Sequence, residues 1–535
     1  MDLLPLIGQL VIDTSASWGR MFVALAISVV LSLAIGVLAA TSRTAERIIL
    51  PVVDVLQTLP ILAFFPFAIF LFVAILPGYI GINAAVVFLI VTSMLWNIIF
   101  GVYESIKTLP AEFFEVVELY HFDFWTRLKK LYIPASFPRV VQQSILSWSI
   151  GLFYLVTSEI FSIGNPVSGC PAGNCTVTYG IGAWLVEHAP GVGGGTLQTY
   201  LIGVGVFVIF VIGTRFLFFK PLENYSTRYL RPQAKLSLPR YQQFLLNLVR
   251  QALRTRYISR IHKVTKEIRI VKIKAREHRA GLVPTKDHTK AYIAIIAVIF
   301  AVIFYIFASN PVLIGYEYQV LPALAFSFSR VWAAFLLITL VSVPLCVYLI
   351  FISKKTSSYI VFFQILASIP ATILLPLLVE GLQGAPHQGE LVAFIIFFLS
   401  GIWYTIFSMV ASTRTLSSNV FDVKRLFGIK GWAAWKDIYL KAILPGFITG
   451  ALTGIAAEWN ASIVAEYFTA TGVTGNNITT SVATGIGRLL DLALSPGGQG
   501  LGLMAVALLN LVVMILIINT FVWKGAYRNI AKMYG

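Results

Sequence analysis

The stretch RTLSSNVFDVKRLFGIKGWAAWKDIYLKAILP, residues 414–445, is charged along its length, yet apolar runs flank it on both sides. A chain needs about 20 predominantly apolar residues to cross a bilayer, so this stretch cannot cross one. It is also too rich in Phe, Trp, Leu and Ile for a solvated loop. We predict an amphipathic segment that rests in the groove of a partner, or alternatively lies flat on the membrane surface.

The composition of the whole chain is that of a membrane protein. Of the 535 residues 58% are hydrophobic and 12% are charged, and the mean hydropathy is +0.84, whereas soluble domains carry about 25% charged residues. Backbone groups in lipid need partners within their own segment, and these unbroken runs do not alternate as barrel strands do. We predict an all-α polytopic membrane protein with about 11 transmembrane helices. The candidate spans are 17–41, 48–76, 83–105, 135–162, 198–219, 291–308, 327–352, 357–381, 391–411, 442–468 and 500–523.

The charge distribution predicts the orientation in the membrane. Residues 228–290 contain 17 Lys or Arg and three acidic residues, and such an excess is typical of cytoplasmic loops. Counting spans outward from this linker puts the N-terminus outside and the C-terminus in the cytoplasm. The opening residues have no basic n-region, so no cleaved signal peptide is predicted. The linker itself fits a basic helix on anionic headgroups or a regulatory segment, and no nucleic-acid partner is predicted.

The chain also repeats itself. Residues 96–161 align without a gap to 403–468 with 16 identities in 66 positions, and a slightly larger shift pairs Arg20 with Arg330 and Pro60 with Pro370. Each repeat has five spans, so both polar segments face the same side and the repeats are parallel. Returning the chain to the outside between them requires one linking helix. We therefore predict a first five-span domain at 1–227, a basic linker at 228–290, a linking helix and outer loop at 291–326, and a second five-span domain at 327–535.

The polar segment has a counterpart in the first repeat, KTLPAEFFEVVELYHFDFWTRLKKLYIPASFP at 107–138. Each of the two has an acidic residue, a short helix of mixed face, a turn, a basic aromatic helix and a proline. The residues predicted to contact a partner are Glu115, Leu119, Tyr120 and His121 in the first, and Asp422, Leu426, Phe427 and Gly428 in the second.

These paired segments resemble the signature cytoplasmic loop of the membrane subunits of binding-protein-dependent ABC importers. Asp422 matches the acidic position, Gly428 the glycine and Pro445 the closing proline of that loop. The first segment has His121 where the glycine belongs, and both segments lack the two alanines that follow the acid. The stretches WSIGLFYLVTSEIF (148–161), EWNASIVAEYF (458–468), YGIGAWL (179–185) and TGIGRLL (484–490) resemble the nitrate/sulfonate/taurine-type importers.

The resemblance implies a translocation pathway between two permease domains, here joined in one chain. It also implies a dimer of separate ATPase subunits on the cytoplasmic side and an extracytoplasmic substrate-binding protein. The chain has no phosphate-binding loop of the G-x-x-x-x-G-K-[ST] type, so we expect ATP on the partner, no cofactor or metal on this chain, and no enzymatic activity of its own. The alternatives are a ferric-iron or polyamine type ABC permease, and a self-sufficient channel or secondary carrier. The sequence does not name the substrate.

Polar residues inside the predicted spans are candidates for the pathway, because such groups usually face a cavity or a partner. They are Ser158, Glu159, Glu458, Asn460 and Glu466. The alternative for the two repeat-related glutamates, Glu159 and Glu466, is that they bond neighbouring backbone. Cys170 and Cys175, in a predicted outer loop, would form a disulfide in an oxidising space or remain two free thiols.

Overall fold

A computed structural model describes residues 3–64, 68, 71–72, 75–76, 79–164, 179–192, 195–230, 309–352, 362–363, 366–413, 431–471, 477–494, 500–518 and 522. The predicted linking helix at 291–308, nearly all of the basic linker, the cysteines Cys170 and Cys175, and the partner-contact residues of the second polar segment lie outside these residues. The predictions made for them stay predictions.

The structure is built from helices. Those of the first half (residues 1–227) and the start of the linker are α1 (Leu3–Thr41), α2 (Arg43–Thr58), α3 (Tyr79–Lys107), α4 (Ala111–Leu119), α5 (Phe124–Arg127), α6 (Ile133–Gly164), α7 (Ile181–Glu187), α8 (Leu197–Gly213) and α9 (Lys220–Leu230). The helices of the second half (residues 327–535), the first of which begins in the predicted outer loop, are α10 (Glu317–Val347), α11 (Leu375–Gly381), α12 (Gln388–Thr413), α13 (Gly431–Ala434), α14 (Leu440–Ala465), α15 (Ile486–Leu494) and α16 (Gly500–Ile518).

Seven continuous helical segments within the described residues are long and apolar enough to cross a membrane. They are Pro5–Thr41, Ile80–Lys107, Phe124–Ile160, Leu197–Ser226, Pro311–Ile352, Gln388–Val410 and Gly431–Ala465. Their outward side chains are apolar; for example, Val30, Ile209 and Leu340 are 66%, 66% and 71% exposed. The prediction of an all-α polytopic membrane protein is confirmed, and the total of eleven spans stays a prediction.

The predicted spans 48–76 and 357–381 are wrong as single helices, because each is interrupted at a proline. Helix α2 ends at Thr58, and Leu59 before Pro60 is extended, with φ −75° and ψ 141°. Proline disfavours the helical conformation in the residue before it and supplies no backbone donor. A 3₁₀ turn, Ile61–Phe64, follows Pro60, and the corresponding turn Ala371–Leu374 follows Pro370.

Elsewhere the helices continue through their prolines. Pro138 lies inside α6, and a π-helical turn, Leu128–Tyr132, joins α5 to α6. A π-helical turn at Trp435–Tyr439 joins α13 to α14 in the same way. In each half the described end of the polar segment and the following span form one continuous helical segment, Phe124–Ile160 and Gly431–Ala465.

In the second half the most extensive helix packing is between α12 and α14, and the equivalent helices of the first half, α3 and α6, pack together in the same way. A Cβ atom at Gly450 of α14 would lie 2.7 Å from the Cα atom of Thr405 on α12, so the small residue allows the backbones to approach. The helix predicted at 442–468 is α14, which ends at Ala465. A β-hairpin follows it. Its strands β1 (Tyr467–Thr471) and β2 (Asn477–Ser481) are antiparallel, and the sequence analysis did not anticipate them.

Candidate functional site

The short helix α4 of the first polar segment ends in a turn that requires a left-handed residue. His121 has φ +48°. The amide of Phe122 donates to the carbonyl of Val117 and the amide of His121 donates to that of Glu118, both at 3.1 Å. These two bonds define a Schellman motif, in which the left-handed position is usually glycine. The residue at this position must adopt a left-handed conformation. This explains why the resembling loops have a glycine where this chain has His121.

One face of α4 and its turn is apolar and uncovered. Val117 is buried against the bundle, whereas Phe113, Val116, Leu119 and Tyr120 are 50%, 48%, 74% and 67% exposed. The aromatic side chains at the start of α5, Phe124 and Trp125, are also exposed. We call these six residues the α4 surface. Glu115, predicted to contact a partner, is exposed on the same helix.

The start of α5 is fixed by an acidic cap. The carboxylate of Asp123 accepts a hydrogen bond from the amide of Trp125 at 3.1 Å, which satisfies a donor at the helix N-terminus. A hydrogen bond from Thr126 holds the pKa of this exposed carboxyl below its ordinary value. Behind the turn lies a cavity of about 510 Å³, lined by the ends of α1 and α3 together with Phe114, Phe122 and Tyr132. The α4 surface thus sits on a turn that is ordered by its own hydrogen bonds.

Glu159 is fully buried and bonded from three sides. Its carboxylate pairs with the guanidinium of Arg20 at 2.5 Å, accepts from the hydroxyl of Ser17 at 2.7 Å and accepts from the amide of Gly182 at 2.8 Å. Ser17 in turn accepts from the amide of Ile181 at 3.0 Å. One carboxylate therefore joins α1, α6 and the first turn of α7.

The second half repeats this arrangement around Glu466. Its carboxylate pairs with Arg330 at 3.1 Å, accepts from Ser327 at 2.6 Å and accepts from the amide of Gly487 at 2.9 Å. The hydroxyl of Ser327 accepts from the amide of Ile486 at 2.9 Å. A further carboxylate, Glu390 of α12, also binds Arg330. The two glutamates thus have equivalent serine, arginine and amide partners.

The glycines of YGIG and TGIG allow these contacts. A Cβ atom at Gly182 would lie 2.7 Å from the carbonyl of Val156 and 2.9 Å from the Cβ of Glu159. At Gly180 and Gly485 an added Cβ would overlap the carboxylates of Glu159 and Glu466. The resemblance found in these stretches therefore reflects the close approach of a short helix to a buried carboxylate.

Glu159 and Glu466 each bond one backbone amide, as the alternative in the sequence analysis had it, but also an arginine and a serine side chain. A role in the pathway stays a prediction. Ser158 is buried and its hydroxyl bonds the carbonyl of Leu155 within α6. Glu458 is buried with no hydrogen-bond partner among the described residues. Two positions further along α14, Asn460 lies about 200° around the helix from Glu458 and faces the other half.

The two halves meet where the proline turns cross over. The amide of Leu62 in the turn after Pro60 donates to the side-chain oxygen of Asn460 on α14, at 3.2 Å. In the opposite direction, Thr372 in the turn after Pro370 contacts Thr157 on α6, hydroxyl to hydroxyl, at 3.3 Å. We call this contact zone the seam.

Two more polar contacts extend the seam. The hydroxyls of Ser149 on α6 and Ser368 lie 3.2 Å apart, and the phenol of Tyr200 on α8 donates to the carbonyl of Ile373. Asn460 and Thr157 are among the polar residues that the sequence places in these spans, whereas Ser149, Ser368 and Thr372 were not predicted. The paired prolines Pro60 and Pro370, which the repeat alignment found, were the signal that could have led to them.

The family profile described as "Binding-protein-dependent transport system inner membrane component" matches residues 32–170 and 352–522, more than half of the chain. The glycine betaine transport system permease protein OpuAB of Bacillus subtilis (strain 168) is 30% identical over 155 residues, covering 27% of this chain and 52% of that protein. The putative aliphatic sulfonates transport permease protein SsuC of the same organism is 27% identical over 137 residues, covering 26% of this chain and 47% of that protein. The chain spans about half the length of these curated relatives.

Seven of the described helical segments are long and apolar enough to cross a membrane, and the uncovered α4 surface and the polar seam are the candidate sites. The chain belongs to the family of binding-protein-dependent transport system inner membrane components, and it is an ABC transporter permease.

Proposed function

We propose that this chain forms the translocation pathway of an ABC importer, with both permease domains in one polypeptide and separate ATPase subunits bound at the two polar segments. The exposed α4 surface carries the proposal. Leu119 and Tyr120, 74% and 67% exposed, extend from a helix end that its own hydrogen bonds close. A large side chain held rigidly and left uncovered is suited to anchor an interface.

The charge of α4 favours a protein partner over the membrane surface. Helix α4 carries Glu112, Glu115 and Glu118 and no basic residue, whereas helices that lie on anionic headgroups are rich in Lys and Arg. An acidic rim around an apolar face fits a groove lined with basic side chains. We therefore propose that the polar segment lies in the groove of a partner protein and not on the membrane surface.

The seam is the proposed place of the pathway. It lies between α6 and α14, the long helices that follow the polar segments of the two repeats, and its side chains are hydroxyls and an amide rather than charges. When the two halves separate, the hydrogen bonds between these groups break, and the groups can hydrogen-bond a solute instead. An extracytoplasmic binding protein would deliver the solute to this opening.

The nitrate/sulfonate/taurine type remains our proposal for the substrate branch. The curated relatives are named for glycine betaine and for aliphatic sulfonates, which are small organic ions. Glu159 and Glu466 are each paired with an arginine, so they present no uncompensated negative charge to an organic anion. The ligand of the binding protein encoded beside this chain is the direct test of the substrate class.

The orientation proposed from the charge distribution puts the N-terminus outside and both polar segments in the cytoplasm. Cysteines introduced at Ser105 and Ser412 should both be protected from an impermeant thiol reagent added outside intact cells. Labelling of one and protection of the other would contradict the parallel arrangement of the halves.

Tyr120→Ala tests the ATPase interface. Loss of a buried aromatic anchor costs about 2–4 kcal/mol, so we expect the ATPase to bind about 30- to 1,000-fold more weakly. The measurements are co-purification of the ATPase and its hydrolysis with and without loaded binding protein. Tyr318→Ala is the matched control, because Tyr318 is 87% exposed at the predicted outer end of α10. Retention and stimulation equal to wild type in Tyr120→Ala and Leu119→Ala would overturn the proposal.

A further inference from the structure

Glu458 differs from the other buried glutamates in having no counter-charge among the described residues. Its side chain is 0% exposed, and neither carboxyl oxygen has a hydrogen-bond partner among the residues that the structure describes. Glu159 of α6 and Glu466, directly after α14, each have an arginine, a serine and a backbone amide. An isolated carboxylate is very costly in an apolar interior, and such groups take up a proton instead.

The surroundings of Glu458 are apolar. Its carboxyl lies against Gly401 of α12, where an added Cβ atom would overlap the Oε1 atom. The same Cβ atom would lie 2.8 Å from the Cδ1 atom of Ile338 on α10. The hydroxyl of Thr405, one turn along α12, bonds the carbonyl of Gly401 at 3.4 Å. Helices α10, α12 and α14 therefore close around the carboxyl without offering it a charge.

The charged side chains of these three helices lie far along their axes. Arg330 on α10 is eight residues from Ile338, which is about 12 Å of helix, and it is already bonded to Glu390 and Glu466. Glu390 on α12 is eleven residues from Gly401, about 16 Å. The remaining titratable side chains in the described parts of α10, α12 and α14 are Glu317, Tyr318, Cys346, Tyr404 and Lys441.

No group of that set places a positive charge near the carboxyl. Cys346, eight residues from Ile338 and so about 12 Å along α10, carries no positive charge. Tyr404, three residues from Gly401, is neutral near pH 7 because a phenol ordinarily ionises near pH 10. Lys441 is seventeen residues from Glu458 along α14, about 25 Å, and it binds Asp437 at 3.2 Å.

The first half fills the same space without an acid. At the positions equivalent to Gly401 and Glu458 it has Met94 and Gly151. The large and small residues are exchanged between the two helices, and the methyl end of Met94 occupies the place where a Cβ of Gly151 would lie. A thioether and a glycine thus satisfy the packing at this position. Packing alone therefore does not require a carboxyl at position 458.

We propose that Glu458 is a proton-binding site, present in the second half alone, which links one proton to the packing of α10 and α12 against α14. The packed arrangement holds the side chain as the neutral acid, and ionisation requires water to reach the carboxyl between these helices. The proposal does not depend on which solute the chain transports or on the ATPase interface.

The packed arrangement holds one more proton than an arrangement in which water reaches the carboxyl and Glu458 ionises. Raising the pH therefore favours the opened or unfolded chain over the packed one, by up to about tenfold in the equilibrium constant per pH unit for one proton.

The experiment compares the full-length chain and Glu458→Gln, purified in lipid nanodiscs. Infrared difference spectra at neutral pH should show a protonated carboxylic C=O stretch in wild type that is missing in Glu458→Gln. The glutamine variant, which matches the neutral acid in shape, should lack the pH-dependent loss of thermal stability attributable to this site. Glu159→Gln is the control: it should remove a carboxylate band and no acid band.

Two results would overturn the proposal. One is that Glu458→Gln removes only carboxylate bands, which would mean that Glu458 is ionised. The other is equal pH dependence of unfolding in wild type and Glu458→Gln. If Glu458→Gln fails to fold, the double variant Gly401→Met with Glu458→Gly reproduces the first-half pair and serves for the same spectra. Since neither readout involves ATPase or solute, failure here would leave the permease proposal standing.

Discussion

Arg20 and Glu159 form an ion pair with side-chain exposures of 8% and 0%, at 2.5 Å, between the first long helix and α6. Arg330 and Glu466 form the same pair in the second half. Each pair joins segments that are more than one hundred residues apart in the chain, and each includes the first turn of a short helix through a serine. Each ion pair therefore links distant helices of its own half, and the same arrangement occurs in both halves.

Arg20→Ala should destabilise the purified chain by about 3–5 kcal/mol, because it leaves a buried carboxylate without its counter-charge. The measurement is thermal unfolding in detergent at neutral pH. Arg139→Ala is the matched control, since Arg139 pairs with Glu104 at 2.7 Å but both side chains are about half exposed, at 45% and 51%. An exposed pair contributes about 0–1 kcal/mol. Equal destabilisation by the two substitutions would contradict a stabilising role of the buried Arg20–Glu159 pair.

Gly182→Ala should disrupt the approach of α7 to Glu159. The new methyl group would lie 2.7 Å from the backbone carbonyl of Val156, which cannot move without α6. Overpacking of this kind costs about 1–3 kcal/mol. Gly205→Ala, on α8, is the control because no atom lies within 4 Å of the added methyl, and alanine there should stabilise the helix by up to about 1 kcal/mol. The test is the difference in unfolding temperature between the two variants, and a similar decrease in both would argue against the contact.

The sequence predicted those features that depend on local pattern. Apolar run lengths predicted the long helices, and the repeat register paired Glu159 with Glu466 and Arg20 with Arg330. The partners of the glutamates could not be predicted in the same way, because Ser17 and Ile181 are 164 residues apart and only tertiary packing brings them together. The crossing of the proline turns to the opposite half is likewise a property of the assembled bundle.

Two further features were hidden for physical reasons. The strands at 467–481 are short and follow a helix, so neither helical nor strand periodicity has room to be recognised. Glu458 looked like other polar residues in spans, and its distinction is the lack of partners, which a sequence does not record. His121, by contrast, was recognised as an irregularity in the loop, and its positive φ explains why glycine suits that position.

His121→Gly should stabilise the turn at the end of α4. A left-handed backbone costs an L-residue about 1–2 kcal/mol, and glycine adopts it without that penalty. Part of this gain is offset by the greater freedom of glycine in the unfolded chain, so we expect a net gain of about 0.5–1 kcal/mol. Slower hydrogen exchange of the amides of His121 and Phe122 is the measurement. His121→Val, a branched residue, should speed that exchange, and slower exchange in the valine variant would contradict the assignment.

Ser149→Cys combined with Ser368→Cys should lock the seam. The two hydroxyl oxygens lie 3.2 Å apart across the halves, so thiols at these positions are close enough to react under mild oxidation. If the pathway opens between α6 and α14, the cross-link should stop solute uptake by the complete transporter, and reduction should restore it. Each single variant, in a background with Cys170 and Cys175 replaced by serine, should transport normally under oxidant. Uptake that continues at the wild-type rate with the cross-link fully formed would place the pathway elsewhere, because a covalently closed seam cannot admit a solute.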